Sequence, residues 1–308
     1  MVRRDLPVAL ALGAGSALAA PGAALASGDE IAPSQLPRAW ELPPAVFVAA
    51  VVAFVLFVRA FVRLRRRGRT DHAGWERLAL FAAATALSVL PLVSPLDATG
   101  DGYLISAHML QHVLIGDVAP ALGLAALRGP LLFFFMPAGA VRLAMHRPRV
   151  RQALRAISRP DVSFALWAGT IAAWHVPPAY DYALSHPLVH QNEHLSFVAA
   201  GVLVWMQLVD PARRHALSRE QRLEYAGGIF FCGLALSAVL MLSAGPLYPA
   251  YAHQEIRLLG WSALLDQRLA GGVMLVEQSL ALGACAFLLT RGLARRRAQH
   301  ADARVASI

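Results

Sequence analysis

Four histidines in two matched pairs are the residues of this chain best placed to do chemistry. His108 and His112 stand four apart in Ser106-Ala-His108-Met-Leu-Gln-His112, and His190 and His194 repeat the interval in His190-Gln-Asn-Glu193-His194. Positions four apart on a helix share a face about one turn apart, so each pair can present two imidazoles to one metal ion. His175, in Trp174-His175-Val-Pro177-Pro178, is either a fifth ligand or a helix-end group held by the proline turn. The expected metal set is therefore His108, His112, His175, His190 and His194.

The elements that must position them are membrane helices. The chain of 308 residues is 57% hydrophobic and 15% charged, against about 45–50% and about 25% in soluble domains. An ionisable side chain inside a membrane span is costly, so two matched pairs at the mouths of apolar runs call for a functional account. The formal charge of +9 comes entirely from arginine. The arginines fall in short patches between apolar runs rather than in a basic module, which argues for topology and against nucleic acid. Cys232 and Cys285 are each alone in an apolar run and read as small buried apolar residues, not as thiolate ligands or a disulfide.

Residues 1–26 have the layout of a secretory signal: Arg3 and Arg4, an apolar core, and Ala24-Leu25-Ala26 as a cleavage site. Residues 27–41 read as an exported lead-in, 42–291 as the membrane domain and 292–308 as a basic cytoplasmic tail. Seven spans are expected, at about 42–58, 78–93, 103–127, 162–176, 188–209, 225–247 and 269–290, joined by aspartate-bearing residues 94–102 and an interfacial or re-entrant piece at 129–141. With the N-terminus outside and the C-terminus inside, 23 arginines fall on the cytoplasmic side and three, Arg38, Arg257 and Arg268, on the exported side. The expected fold class is an all-α polytopic helix bundle in a membrane.

That orientation brings His108, His112, His175, His186, His190, His194 and His253 to the outer side. From Tyr103, His108 and His112 lie about 8 and 14 Å into their span, a depth that His190 and His194 share, so the pairs can face one another. His186 and His253 read as ordinary hydrogen-bonded histidines. Asp266 and Gln267, at the outer entrance of the last span, are expected to orient an imidazole from behind. Asp117, half a helical revolution from His108, and Glu277, deeper in the last span, are unassigned intramembrane acids. Imidazole suits copper, zinc, iron or nickel. Met109, Met241 and Met274 would favour copper(I) if they ligated, although methionine in an apolar run more often packs.

In order along the chain, His108-Met-Leu-Gln-His112, Trp174-His175-Val-Pro-Pro-Ala-Tyr180-Asp181, His186-Pro-Leu-Val-His190-Gln-Asn-Glu193-His194 and Asp266-Gln267-Arg-Leu-Ala-Gly271 resemble the CtaG (caa3-type) cytochrome c oxidase assembly factors. The resemblance implies a seven-span, non-enzymatic membrane protein that helps to form haem-copper oxidase and takes part in copper supply. Its implied partners are oxidase subunits and periplasmic copper chaperones. The segment Met274-Leu-Val-Glu277-Gln278 departs from the family, where a proline-glycine turn is expected.

Two other readings compete. His190-x-x-Glu193-His194 matches the H-x-x-E-H pattern of inverted zinc peptidases, with Glu193 as general base. Axial histidines from two spans would also suit a haem b carrier or a metal permease.

Overall fold

The computed structural model describes residues 31–305, so the signal reading at 1–26 and the start of the lead-in lie outside the described residues. Helices make up its regular structure. The first are α1 (Pro44–Arg66), α2 (Trp75–Val93), α3 (Pro95–Gly102) and α4 (Ile105–Val113). A π-helical turn, Leu114–Val118, joins α4 to α5 (Ala119–Ala126). Then follow α6 (Pro130–Phe135), α7 (Ala138–His146), α8 (Pro148–Ile157), α9 (Pro160–Trp174) and α10 (Pro177–Ser185). The last four are α11 (Pro187–Val209), α12 (Arg219–Leu242), α13 (Pro249–Ala252) and α14 (Ala263–Val305).

Eight of these helices open on proline, at 44, 95, 130, 148, 160, 177, 187 and 249. Proline pre-sets a helical φ, and the N–H it lacks would have had no partner at a helix start. The chain is thus cut into short helices, and the long spans start where the prolines allow. α12 starts differently, on a capping box between Ser218 and Gln221.

Among the described residues, five stretches are long and apolar enough to cross a membrane: Pro44–Arg66, Thr70–Val93, Ile105–Ala126, Arg219–Leu242 and Ala263–Arg291. The other two expected spans correspond to α9 and α11. At 15 residues α9 is about 22 Å long, short of a bilayer core of about 30 Å. α11 has 23 residues, but its first two turns carry His190, Gln191, Asn192, Glu193 and His194. The interfacial piece expected at 129–141 is the short helix α6 and the first turn of α7.

Two apolar clusters hold the bundle. The larger joins α1, α2, α5, α6, α9, α11 and α12 around Phe57, Phe81, Leu124, Phe135 and Trp205. The smaller lies beside the histidines and packs Ile105, Met109, Tyr180, Leu240, Tyr248 and Tyr251, with Met274 against them. Met109 and Met274 are therefore packing residues. Cys232 corrects the sequence reading: it is exposed on the flank of α12, because that helix buries only one narrow stripe.

Close approach between α11 and the π turn depends on one residue. A Cβ on Gly201 would lie 1.7 Å from the carbonyl oxygen of Gly116, so no side chain fits there. This contact brings the two histidine-bearing spans together.

Candidate metal centre

His108 and His112 project from α4, and His190 and His194 from the first turns of α11. One ligand nitrogen from each of the four lies within 4.8 Å of all the others. The rings touch across the interface: His108 and His190 are 5.2 Å apart between centroids, and His112 and His194 5.0 Å. The pairing that the sequence suggested by depth and side is thus present in space. His108 is fully buried and His112 is 6% exposed.

The nitrogens fit a metal. Both ring nitrogens of His108 and His112, and the Nε2 atoms of His190 and His194, are buried without a hydrogen-bond partner. Six such atoms in one place are an unusual concentration, since buried polar groups are normally satisfied. Bonds of about 2.0–2.1 Å in a tetrahedron put nitrogens about 3.4 Å apart, so ring movements on the order of an ångström would close the four around an ion.

Other elements position these helices. The N-terminus of α4 has no cap of its own; Asp266 supplies one from the first turn of α14, accepting from Ile105 N at 2.8 Å and Ser106 N at 3.1 Å. Gln267 Oε1 accepts from Leu247 N at 2.6 Å and its Nε2 donates to Leu240 O at 3.1 Å. The expectation that Asp266 and Gln267 orient an imidazole is therefore corrected: both bind backbone and fix helix ends. Gln111, between the histidines in sequence but on another face, donates through Nε2 to Pro91 O at 3.1 Å and also to Asp97. Pro91 O needs this donor because the residue four ahead, Pro95, has no N–H.

The carboxylate behind the imidazoles is Asp101, at the end of α3. Its Oδ1 is 3.2 Å from His108 Nδ1 and its Oδ2 3.6 Å from His190 Nδ1, so one side chain serves both helices. These are close polar contacts rather than aligned hydrogen bonds. Burial would raise the Asp101 carboxyl, but its interactions with His108 and His190 outweigh burial and hold the group below its usual range. Asp97, one turn earlier, is pushed up to about 7 by burial and by Asp101.

α3 is held in place by tyrosines. Tyr180 OH donates to Tyr251 OH at 3.0 Å, and Tyr251 OH donates to Gly100 O at 2.7 Å. Glycine also suits position 100, because a Cβ there would sit 3.0 Å from His108 Cα and N, tight against backbone. Asp101 and the tyrosine chain were missed from sequence; the available signal was Asp97 and Asp101 four apart, directly before the first histidine pair.

His175 stands apart from the four. Its Nδ1 donates to Ile171 O at 2.8 Å, which closes the end of α9 and leaves Nε2 buried without a partner. Its ring and that of His112 both contact Phe197, at 6.4 and 4.7 Å. His186 is exposed and stacks on Tyr182 at 3.9 Å. Glu193 is 1% exposed, with Oε1 free of hydrogen bonds.

The two unassigned acids meet. Asp117, in the π turn, is hydrogen-bonded to Glu277 of α14 and accepts a hydrogen bond from Trp205 Nε1. Where a proline-glycine turn was expected of the family, α14 runs on unbroken through Glu277.

A family model described as the cytochrome c oxidase caa3 assembly factor (Caa3_CtaG) matches residues 55–296. No curated protein and no solved structure matches the chain. The matched residues take in both histidine pairs, Asp101 and the helices that hold them, and the chain belongs to the cytochrome c oxidase caa3 assembly factor family.

Proposed function

We propose that this assembly factor holds a copper ion at His108, His112, His190 and His194 and hands it to a haem-copper oxidase during its formation. The observation that carries the reading is the convergence within 4.8 Å of four imidazoles from two helices, each with a buried Nε2 that has no hydrogen-bond partner. Family membership supplies the oxidase as the protein to be assembled.

Charge favours copper(I) as cargo. Neutral imidazoles add no charge, and the carboxylate in contact with them is Asp101. A monovalent ion beside one carboxylate leaves the buried site close to neutral, whereas zinc(II) would leave an uncompensated charge that is costly in low dielectric. His175, whose Nε2 is buried without a partner, is a transfer ligand at the margin. The arginine distribution supports a seven-span bundle with its N-terminus out, its C-terminus in and the site on the outer side, and the reading takes the membrane to be a bacterial plasma membrane. There a periplasmic copper chaperone can load it.

The peptidase and haem readings fit less well. A hydrolytic zinc site keeps a coordination position open, and four imidazoles fill a tetrahedron. Haem needs a slot for its plane between two axial rings, and the rings of the two spans contact each other directly, His108 and His190 at 5.2 Å and His112 and His194 at 5.0 Å between centroids.

The deciding experiment uses a deletion strain complemented with wild type or with His112→Ala/His194→Ala at equal expression. Wild type should restore oxidase activity and purify with one copper per chain; the variant should do neither. A variant that restores full activity while lacking copper would overturn the copper reading.

A further inference from the structure

At the opposite, arginine-rich end of the bundle, a cavity of about 330 Å³ opens between α1 and the pair α6–α7. Arg59 and Arg63, one turn apart on α1, line it together with Arg142 of α7, and its apolar walls include Phe133, Phe134 and Val141. Arg63 and Arg67 both lie over the Phe134 ring, 5.1 and 5.2 Å from its centroid. Among the described residues none of these four arginines has a carboxylate within ion-pair distance.

Sequence leaves no local partner either. There is no acidic residue between Glu41 and Asp71, or between Asp117 and Asp161, so both walls of the cavity come from acid-free stretches. Arg59 lies seven residues before the end of α1, about 10 Å from it, which is deep for a guanidinium with no counter-charge. Positive-inside topology accounts for arginines in loops, but not for three of them converging from two elements on one concave, half-apolar space. Beside the cavity, Val55, Val62 and Phe133 are exposed, 58%, 38% and 42%.

We propose that this cavity is a binding site for an anionic phospholipid of the leaflet on the arginine-rich side. The phosphate would sit among Arg59, Arg63 and Arg142, whose planar donors suit phosphate oxygens, and an acyl chain would lie along Val55, Val62 and Phe133. The site would tie α6 and α7, which do not cross the membrane, to α1. It stands independently of the copper reading.

Native mass spectrometry of the full chain in detergent tests it, with phosphatidylglycerol, phosphatidylcholine of the same acyl chains, and inorganic phosphate as separate probes. Wild type should retain phosphatidylglycerol over phosphatidylcholine by roughly tenfold or more. Arg59→Gln/Arg63→Gln/Arg142→Gln should lose that preference, while Arg147→Gln/Arg149→Gln/Arg151→Gln, which removes equal charge around the start of α8, should keep it. Thermal stability and elution as a single species in detergent check the folding of each variant. Equal loss in both variants, absence of a preference in wild type, or displacement of the lipid by inorganic phosphate at equal concentration would overturn the proposal.

Discussion

His108 and His190 stack at 26° with their centroids 5.2 Å apart, although they belong to different spans, and both turn Nδ1 toward Asp101. A carboxylate behind Nδ1 keeps the proton there and leaves Nε2 as the ligand atom, which raises ligand basicity. Asp101→Asn should therefore leave the fold intact and weaken metal binding about 10–100-fold. Titration of the purified protein against a copper(I) chelator reads this directly. Unchanged affinity would mean that the imidazoles are oriented by packing alone.

Legibility in the sequence differed between parts of this site. The i, i+4 pairs were readable because helical spacing is local, and their meeting was readable because depth and side agreed. Asp101 was not, since it lies on a helix of eight residues that reads as a polar connection between spans. Asp266 was assigned to the wrong partner, because its position at the mouth of the last span is compatible with an imidazole or a helix end. The contact of Asp117 with Glu277 depends on the π turn at 114–118, which changes the helical register, and no side-chain pattern announces such a turn. The span count was least secure at α9 and α11, where short length and polar first turns blur the apolar signal.

Asp266 caps a helix in trans, so its removal should loosen α4 rather than strip a ligand. Asp266→Ala leaves two backbone N–H groups without their acceptor, at a cost of about 1–3 kcal/mol. Asp266→Asn keeps one carboxamide oxygen and should recover part of the loss. Thermal unfolding in detergent orders the three proteins as wild type, Asn, Ala. A drop in copper affinity with no drop in stability would instead place Asp266 at the metal.

Gly201 makes a sharper steric test. Gly201→Ala forces α11 away from the Gly116 carbonyl, and overpacking of this kind costs about 1–3 kcal/mol or more. Because the displaced helix carries His190 and His194, copper affinity should fall together with stability. Gly169→Ala on α9 is the control, since nothing lies within 4 Å of a Cβ there. It should be neutral or slightly stabilising, as alanine favours helix.

Asp97 gives the chain a pH dependence whose sign is defined. Its carboxyl rises from an ordinary 3.8 to about 7 on folding, through burial and then the neighbouring Asp101 charge. The folded state holds a proton that the unfolded state has released, so stability is greatest below the unfolded value. It falls as pH rises through the interval up to about 7, and the effect levels off above it. Asp97→Asn keeps an acceptor for Gln111 and removes the ionisation. Melting temperatures measured from pH 5 to pH 8 should decline more steeply for wild type than for Asp97→Asn, with the curves parting most at the alkaline end. Parallel curves would mean that Asp97 is ionised in the folded protein throughout, with Gln111 supplying enough stabilisation to offset its burial.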